Sequence, residues 1–507
     1  MTVRPTDLLD RGAGAHPDRL AFIQGRQRLT YEQARALSCR VAQRLHAGGY
    51  QPGQHGAVLA PNDAVSFVVS LGIQRAGLAY IPLNPRDAVP QLGTLLDRLD
   101  VDVLFVHPAF ASAVDELRAA APGLREVVAV DELDTWLDDA PDTDVDLQPD
   151  PERIAAIFPT SGTTGLPRGV MHSVSGLMHA VEALCEVMPH PDGPPVYLAA
   201  APLTHVSGRI ALSMMHLGGT SVVLESAEPY AILQALRDHA VTFTMLPPTV
   251  LGALLELPDI TEWRFSALRY LAYGSAPTRL EVIKRALDVF GPVMAQGYGQ
   301  TEAPLVVTNM SPAEHLIDGQ PASDERLSSV GRPTRFAEVA FLDEDLQHVA
   351  DGAVGEICLH GNFVTVGYYQ DPEASADISL GGWHHTGDLG YLDAEGYVHV
   401  VDRKKDMIIS GGFNVYSAEV ERVIVDLPEV EEVAVFGVPD ERWGEAVRAA
   451  VVLRDGATLG AEHEIDHVKR RLGSVKAPKA VDFRQSLPRN PTGKVLKRQL
   501  REELSHV

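Results

Sequence analysis

Polar and apolar positions alternate along the chain with two different periods, and the switches between them outline its elements. The stretch LAFIQGRQRLTY, residues 20–31, alternates about Gly25-Arg26 and predicts a β-hairpin. YEQARALSCRVAQRLHAGG takes over with helical spacing and stops at Gly48-Gly49, a plausible C-cap. HGAVLAP then reads as a strand, AVSFVVSLGIQRAG as a buried helix and LAYIPLNP as the next strand. QLGTLLDRL with VDVLFVHP, GRIALSMMHLGG with TSVVLES, and PYAILQALRDHA with VTFTMLPP repeat the helix–strand pairing. This alternation predicts an α/β fold with parallel sheet covered by helices.

The texture changes after about Ser329. EVAFLDEDLQHVADGAVGEICLHG and GYLDAEGYVHVVDR read as short strands broken by Gly and Asp turns, a small β-barrel or antiparallel sheet. DRKKD, residues 402–406, is a charged joint, and the last hundred residues or so read as a compact α+β unit. The expected organisation is a large N-terminal domain, 1–402, with α/β subdomains to about 329 and a barrel-like part over 330–402. A joint at 403–406 and a small C-terminal domain, 407–507, follow. The 507-residue length fits several such units.

Charge narrows the partners. A net charge of −25 argues against a nucleic-acid or anionic-membrane surface, so anionic ligands must be met by local cations. No run of about 18 apolar residues predicts a membrane span. The start has no apolar signal region and the end is not a peroxisomal address, which makes cytoplasmic the expected location. Cys39, Cys185 and Cys358 are too far apart in sequence to form a metal or redox spacing.

Four segments carry candidate chemistry. PTSGTTGLPRGV, residues 159–170, follows an apolar run. Its glycines permit close backbone approach to phosphate oxygens, and Thr160, Ser161, Thr163 and Thr164 add hydroxyls. It lacks the Gly-Lys-Ser/Thr ending of a Walker loop, and a plain turn would look similar. QGYGQTEAP, residues 296–304, sets a Tyr face beside glycines, with a hydroxyl at Thr301 and a carboxylate at Glu302 suited to a hard cation. A strand-to-helix turn with an exposed Glu is the plainer account. In HHTGDLGYLDAEGYVHVVDRKKDMIISGG, Asp388 could accept two hydrogen bonds from a ribose diol and Arg403 could meet phosphate or ribose, or both could simply belong to hairpin turns. Lys494, on a Pro-Thr-Gly turn ahead of a basic helix, suits charge that develops in a transition state, or belongs to a solvated basic tail.

Taken together and in this order, these segments resemble the adenylate-forming superfamily in its acyl-CoA synthetase branch. PLTHVSG, YGSAP, YGQTE, VGRP, SGGFNVYSAEVE and NPTGKVLKR extend the match from Thr160 to Arg498. The resemblance implies two half-reactions: a carboxylate attacks the α-phosphate of ATP to give an acyl-adenylate, and a thiol, usually that of CoA, then displaces AMP. It implies ATP, Mg2+ and CoA as cofactors. It assigns Thr160, Ser161, Gly162, Thr163, Thr164, Gly165 and Arg168 to the β- and γ-phosphates. Tyr298 with Gly274, Ser275, Ala276 and Pro277 would line the adenine, Thr301 would contact the α-phosphate and Glu302 would hold Mg2+. Asp388 would bind the ribose with Arg403 beside it, and Lys494 would bridge carboxylate and phosphate.

The same resemblance implies a mobile C-terminal lid turning about Lys405. Rotation would remove Lys494 and bring in Gly411 and Gly412 to line a pantetheine tunnel, where a thin channel leaves no room for a Cβ. His205 matches the family's gate to that tunnel; a satisfied core histidine is the alternative. The acyl pocket would be lined by Ala272, Gly274, Gly297, Ala303, Val306 and Val307, with Met214 and Met215 behind it or serving only as core filler. No Asp–Lys pair for an amino acid is apparent, so an apolar carboxylic acid is expected, and acids of secondary metabolism are candidates by analogy. A homodimer is compatible with this reading.

One departure stands out: Arg168 occupies a position where the family carries Lys, and the two are not interchangeable in shape. It is either a working variant or a sign that the protein mainly performs CoA transfer onto an acyl-adenylate made elsewhere. Loading of a carrier protein and a binding-only paralogue complete the alternatives. Retained Lys494, Glu302 and Asp388 speak against the last.

Overall fold

A computed structural model describes residues 4–160, 167–188, 193–304, 306–489 and 495–504. Two large sheets dominate the first four hundred residues. The nine-stranded sheet runs, in spatial order, Arg332–Pro333, Thr308–Met310, Met294–Tyr298, Tyr270–Gly274, Phe243–Leu246, Val196–Ala199, Thr220–Val223, Leu20–Gln24 and Gln27–Thr30. Its central strands are parallel, as the helix–strand alternation requires. The seven-stranded sheet runs Gly367–Tyr368, Arg168–Ser173, Ile154–Thr160, Ala79–Leu83, His55–Leu59, Val101–Val106 and Glu126–Ala129.

Both faces of each sheet are covered, which explains why strands such as His55–Leu59 are apolar throughout instead of alternating. Ile232, Leu251 and Ile283 cover one face of the nine-stranded sheet; Leu8, Leu184 and Ile210 belong to the core on the other. At about 1.5–3 kcal/mol per fully buried large apolar side chain, these layers dominate the favourable side of folding. Arg75, fully buried, joins the first helix to its neighbours by ion pairs to Asp10 (2.6 Å) and Asp144 (3.0 Å). That first helix, Pro5–Ala15, was not predicted from the sequence.

The subdomains are not consecutive in sequence. The predicted hairpin at Gly25-Arg26 forms, but it is the edge of the nine-stranded sheet, paired in parallel with Thr220–Val223. The expected antiparallel sheet is built from Glu338–Leu342, Gly355–His360, Trp383–Leu392, Ser379–Leu380 and Val398–Arg403. Two segments from the stretch assigned to it, 330–402, lie elsewhere: Arg332–Pro333 pairs with Thr308–Met310, and Gly367–Tyr368 pairs with Arg168–Ser173. Period alone reports that a segment is a strand; it does not report which edge the strand joins. The C-terminal unit is α+β as expected, with Phe413–Val415, Ile408–Ser410, Gly444–Leu453, Val430–Asp440 and Ala480–Arg484 backed by Ser417–Val425 and Ala461–Leu472.

Two features set measurable limits on stability. Gly331 has φ +90°, and a Cβ there would lie 2.3 Å from the Asn309 carbonyl carbon. Gly331→Ala is therefore expected to cost on the order of 3 kcal/mol, while Gly25→Ala, at positive φ but facing open space, costs roughly 1; thermal melts of the two variants compare them. Burial also pushes His172 down to about 3, and His315 and His384 down to about 4. In the unfolded chain each protonates near about 6.5, so the unfolded state binds more protons between about pH 4 and 6.5. Stability is expected to fall as pH drops through that window. His315→Gln is expected to flatten the fall by up to about 1.4 kcal/mol per pH unit, read from urea midpoints at a series of pH values.

Candidate active site

The parallel strands Tyr270–Gly274 and Met294–Tyr298 end side by side, with Gly274 opposite Gly297. Their following loops leave from the carboxyl edge of the sheet, the edge at which open α/β sheets bind ligands. Gly274 has φ +158°, and a Cβ there would come within 2.9 Å of the Gly297 carbonyl oxygen, so the two strands approach too closely for a side chain. Ser275, Ala276 and Pro277 follow, exposed at the rim.

Tyr298, at the end of its strand, donates its hydroxyl to Asp388 Oδ2 at 2.6 Å. Asp388 is buried in the strand Trp383–Leu392, directly across from Arg403, whose Nε meets Oδ1 at 2.6 Å. Burial and the adjacent carboxylate hold the Tyr298 hydroxyl well above the usual phenol range. Three residues expected around the nucleoside, from two sheets, thus meet in one cluster. Both Asp388 oxygens already have protein partners, which fixes the carboxylate where a diol would be recognised.

Thr301 and Glu302 lie half-buried just beyond. The Thr301 carbonyl pairs with His172 Nε2 at 2.8 Å, and Thr365 N donates to the Glu302 carbonyl at 2.7 Å. Glu302 Oε1 accepts from the Tyr368 hydroxyl at 2.9 Å. A half-buried carboxylate at the ligand edge has the donor chemistry of a Mg2+ site completed by substrate phosphates, and Glu302 fits that role. Arg168 opens the strand after the glycine-rich loop and pairs across the hairpin with Thr160. Its guanidinium lies 5.1 Å from the Tyr368 ring centroid, and Nε is 3.3 Å from Asp371 Oδ2. The loop residues Ser161, Gly162, Thr163, Thr164 and Gly165, and also Lys494, lie outside the described residues.

His205, half-buried, immediately precedes the helix Val206–His216, and burial followed by nearby Arg209 lowers its pKa. Of the expected pocket, Ala272, Val306, Met214 and Met215 share one core cluster. Ala303 and Val307 are fully buried in another, against Ile357 and Phe363. Val306 adopts φ +51°, a rare conformation for a β-branched residue, and its carbonyl is held by Thr334 Oγ1 at 2.6 Å. Gly411 and Gly412 form the turn between Ile408–Ser410 and Phe413–Val415, with φ +60° and +81°. A Cβ on Gly412 would meet open space, and its positive φ by itself favours glycine at this turn.

Lys405 sits in the short 3-10 turn Lys404–Asp406 between the lobes. Next to it, Lys404 Nζ meets Glu356 Oε2 at 2.9 Å. The fold also gathers Cys358 beside Glu356 and His385, a trio of ligand types that sequence spacing hides. Burial, then Glu356, pushes the Cys358 thiol up to about 12, and the Lys404 ammonium occupies the carboxylate, so this group is built as a hydrogen-bonded latch. Sequence reasoning also passed over Tyr368, His172 and Arg209. For Arg209 a signal existed: it is the one charged residue within the apolar run VSGRIALSMM.

Family models for the AMP-binding enzyme match residues 9–369, and for the AMP-binding enzyme C-terminal domain residues 419–494. A feruloyl-CoA synthase from Amycolatopsis sp is 36% identical over 97% of each chain. Among solved structures, the amide bond synthetase McbA from Marinactinospora thermotolerans superimposes with a TM-score of 0.89 at 31% identity, covering 99% of this chain and 100% of that one. ATP-bound MatB from Rhodopseudomonas palustris gives a TM-score of 0.89 at 29% identity and 99% coverage of both. These matches make the chain a member of the AMP-binding, adenylate-forming enzyme family, in its acyl-CoA ligase branch.

Proposed function

We propose that the protein joins a carboxylic acid to CoA through an acyl-adenylate. A carboxylate oxygen attacks the α-phosphorus of ATP and pyrophosphate leaves. The CoA thiol then attacks the acyl carbon, AMP leaves, and the thiol proton passes to solvent. The observation that carries this reading is the convergence of Tyr298, Asp388 and Arg403 next to Thr301 and Glu302 at one sheet edge. Asp388 and Arg403 orient the nucleoside, and the "YGSAP" rim with Tyr298 lines the base. Bound at Glu302, Mg2+ would offset charge on the phosphates. Thr160 and Arg168 flank the loop assigned to the β- and γ-phosphates, and Lys494 serves the first half-reaction.

The second half-reaction calls for a different set of residues. Rotation about Lys405 carries the turn Gly411-Gly412 toward His205, which gates the thiol. The hairpin that would swing in carries exposed apolar side chains on both its faces: Phe413 is 62% exposed and Ile409 53%. Trp443, whose carbonyl accepts from Gly411 N at 2.7 Å, has the cations of Arg442 and Lys479 within 4.7 and 5.6 Å of its ring centroid. That arrangement suits the anionic nucleotide end of CoA.

Arg168 favours a protein that retains adenylation. It keeps the positive charge and is anchored at the base of the loop by Asp371 and the Tyr368 ring. Acid-dependent exchange of labelled pyrophosphate into ATP tests this directly. Brisk exchange is expected from the wild-type protein, with Glu302→Gln slower by about 10²–10³-fold. Arg168→Lys should stay within several-fold of wild type, and Arg168→Ala should lose more. Adenylate offered with CoA, a carrier protein or an amine should yield the CoA thioester fastest. Absence of exchange across a broad acid panel, with thioester formed from supplied adenylate, would leave only the transfer half-reaction.

A further inference from the structure

Arg209 is a buried cation with no ion-pair partner among the described residues. It is 7% exposed, and neither Nε nor Nη2 has a hydrogen-bond partner. No carboxylate lies within ion-pair distance of it among the described residues. Its guanidinium carbon lies 4.2 Å from the Phe158 ring centroid, and Glu302 acts on it only from a distance. Burial lowers its pKa to about 10, which leaves it protonated at neutral pH. A buried cation in this state is costly unless something offsets it when the protein works.

The two idle nitrogens define what that something is. Nε–H and Nη2–H lie along one edge of the guanidinium and point in parallel, the edge that takes both oxygens of a carboxylate. Arg209 lines a cavity of about 20 Å³ together with Gln74, Tyr80, Phe158, His205 and Leu212. Gln74 Oε1, on another residue that lines the cavity, is likewise buried without a hydrogen-bond partner. The cavity is small enough that a terminal group, not the body of an acid, enters it. His205 lies one helical turn from Arg209, which places the cavity beside the gate of the proposed acyl site.

We propose that this cavity is a carboxylate subsite, in which Arg209 holds a second acid group of the acyl substrate, remote from the one being activated. The bound group is not the reacting one, because a carboxylate neutralised by two parallel hydrogen bonds is a poor nucleophile toward phosphorus. The substrate is thus a dicarboxylic acid with an apolar middle, not a wholly apolar acid. This subsite rests on the acid-activating reading above.

The test pairs each straight-chain diacid from succinate to sebacate with the monoacid of the same length. Pyrophosphate exchange measures turnover, and calorimetric titration without ATP measures binding. For the best-fitting length, wild-type protein is expected to favour the diacid by at least about tenfold in kcat/KM and in affinity, the size of a two-point ion pair. Arg209→Met should abolish or reverse that preference while monoacid exchange is kept, and Arg209→Lys should retain part of it. Equal losses for mono- and diacids in Arg209→Met would overturn the subsite and move Arg209 to the reacting end. An unchanged selectivity with only a lowered melting temperature, or no diacid preference in the wild type by either assay, would overturn it as well. Failure of the ligase reading would look different: no exchange with any acid, while the binding difference still reports on Arg209.

Discussion

The arrangement of the site depends on one buried carboxylate. Asp388 is held from two sides, by the Tyr298 hydroxyl and the Arg403 guanidinium. Tyr298 ends a central strand of the nine-stranded sheet. Asp388 and Arg403 lie on paired strands of the antiparallel sheet, the second of which runs straight into the joint at Lys404–Asp406. A buried charge is tolerated only when its oxygens are satisfied, so the sheets cannot shift relative to one another without exposing or orphaning Asp388. That requirement fixes this edge of the crevice relative to Thr301 and Glu302, which follow the same strand as Tyr298. The cohesion of this edge rests on the same three side chains.

The cohesion extends to the joint through a second set of contacts. Lys404 reaches back to Glu356, which also accepts from Gly387 N and pairs with His385. Asp402, one residue before Arg403, reaches forward: its oxygens receive Ser417 Oγ and Ala418 N at the start of the first helix of the C-terminal unit. Lys497 then ties Ser417 and Glu421 to the last described helix. Neighbouring residues therefore face opposite lobes, and Lys405 follows directly after both anchors. A joint so anchored on both sides concentrates any change of backbone angles into very few residues, the condition for hinge motion of rigid bodies.

The sequence reported the elements well and their partners poorly. Helical and strand periods at residues 31–106 correspond to real elements because each is buried on the face its pattern marks. Nothing in LAFIQ says that its neighbour in space is TSVV, two hundred residues on, since parallel pairing leaves no local turn to read. The site divides the same way. Tyr298, Asp388 and Arg403 were legible because each lies in a turn-rich motif whose order along the chain is distinctive. Tyr368 and His172 were not: both lie in ordinary strands, and their importance comes from what faces them after folding. Gly411 and Gly412 also occupy a turn whose positive φ angles favour glycine, a demand that the motif alone does not show.

Arg168 shows why residue identity at one motif position needs its surroundings to be read. A lysine there would supply a compact charge on a flexible stem and nothing else. The planar guanidinium does more: it lies against the face of Tyr368 while its Nε pairs with Asp371. Tyr368 in turn points its hydroxyl at Glu302. Asp371 is itself fixed, because its other oxygen caps the helix Pro372–Asp377 through Ala374 N. The chain of contacts runs from the end of the glycine-rich loop to the carboxylate assigned to the metal, and an arginine completes it where a lysine would leave the ring uncovered. The departure at position 168 is then the local counterpart of Tyr368 and Asp371, so it argues for a loop and an acidic edge that act together.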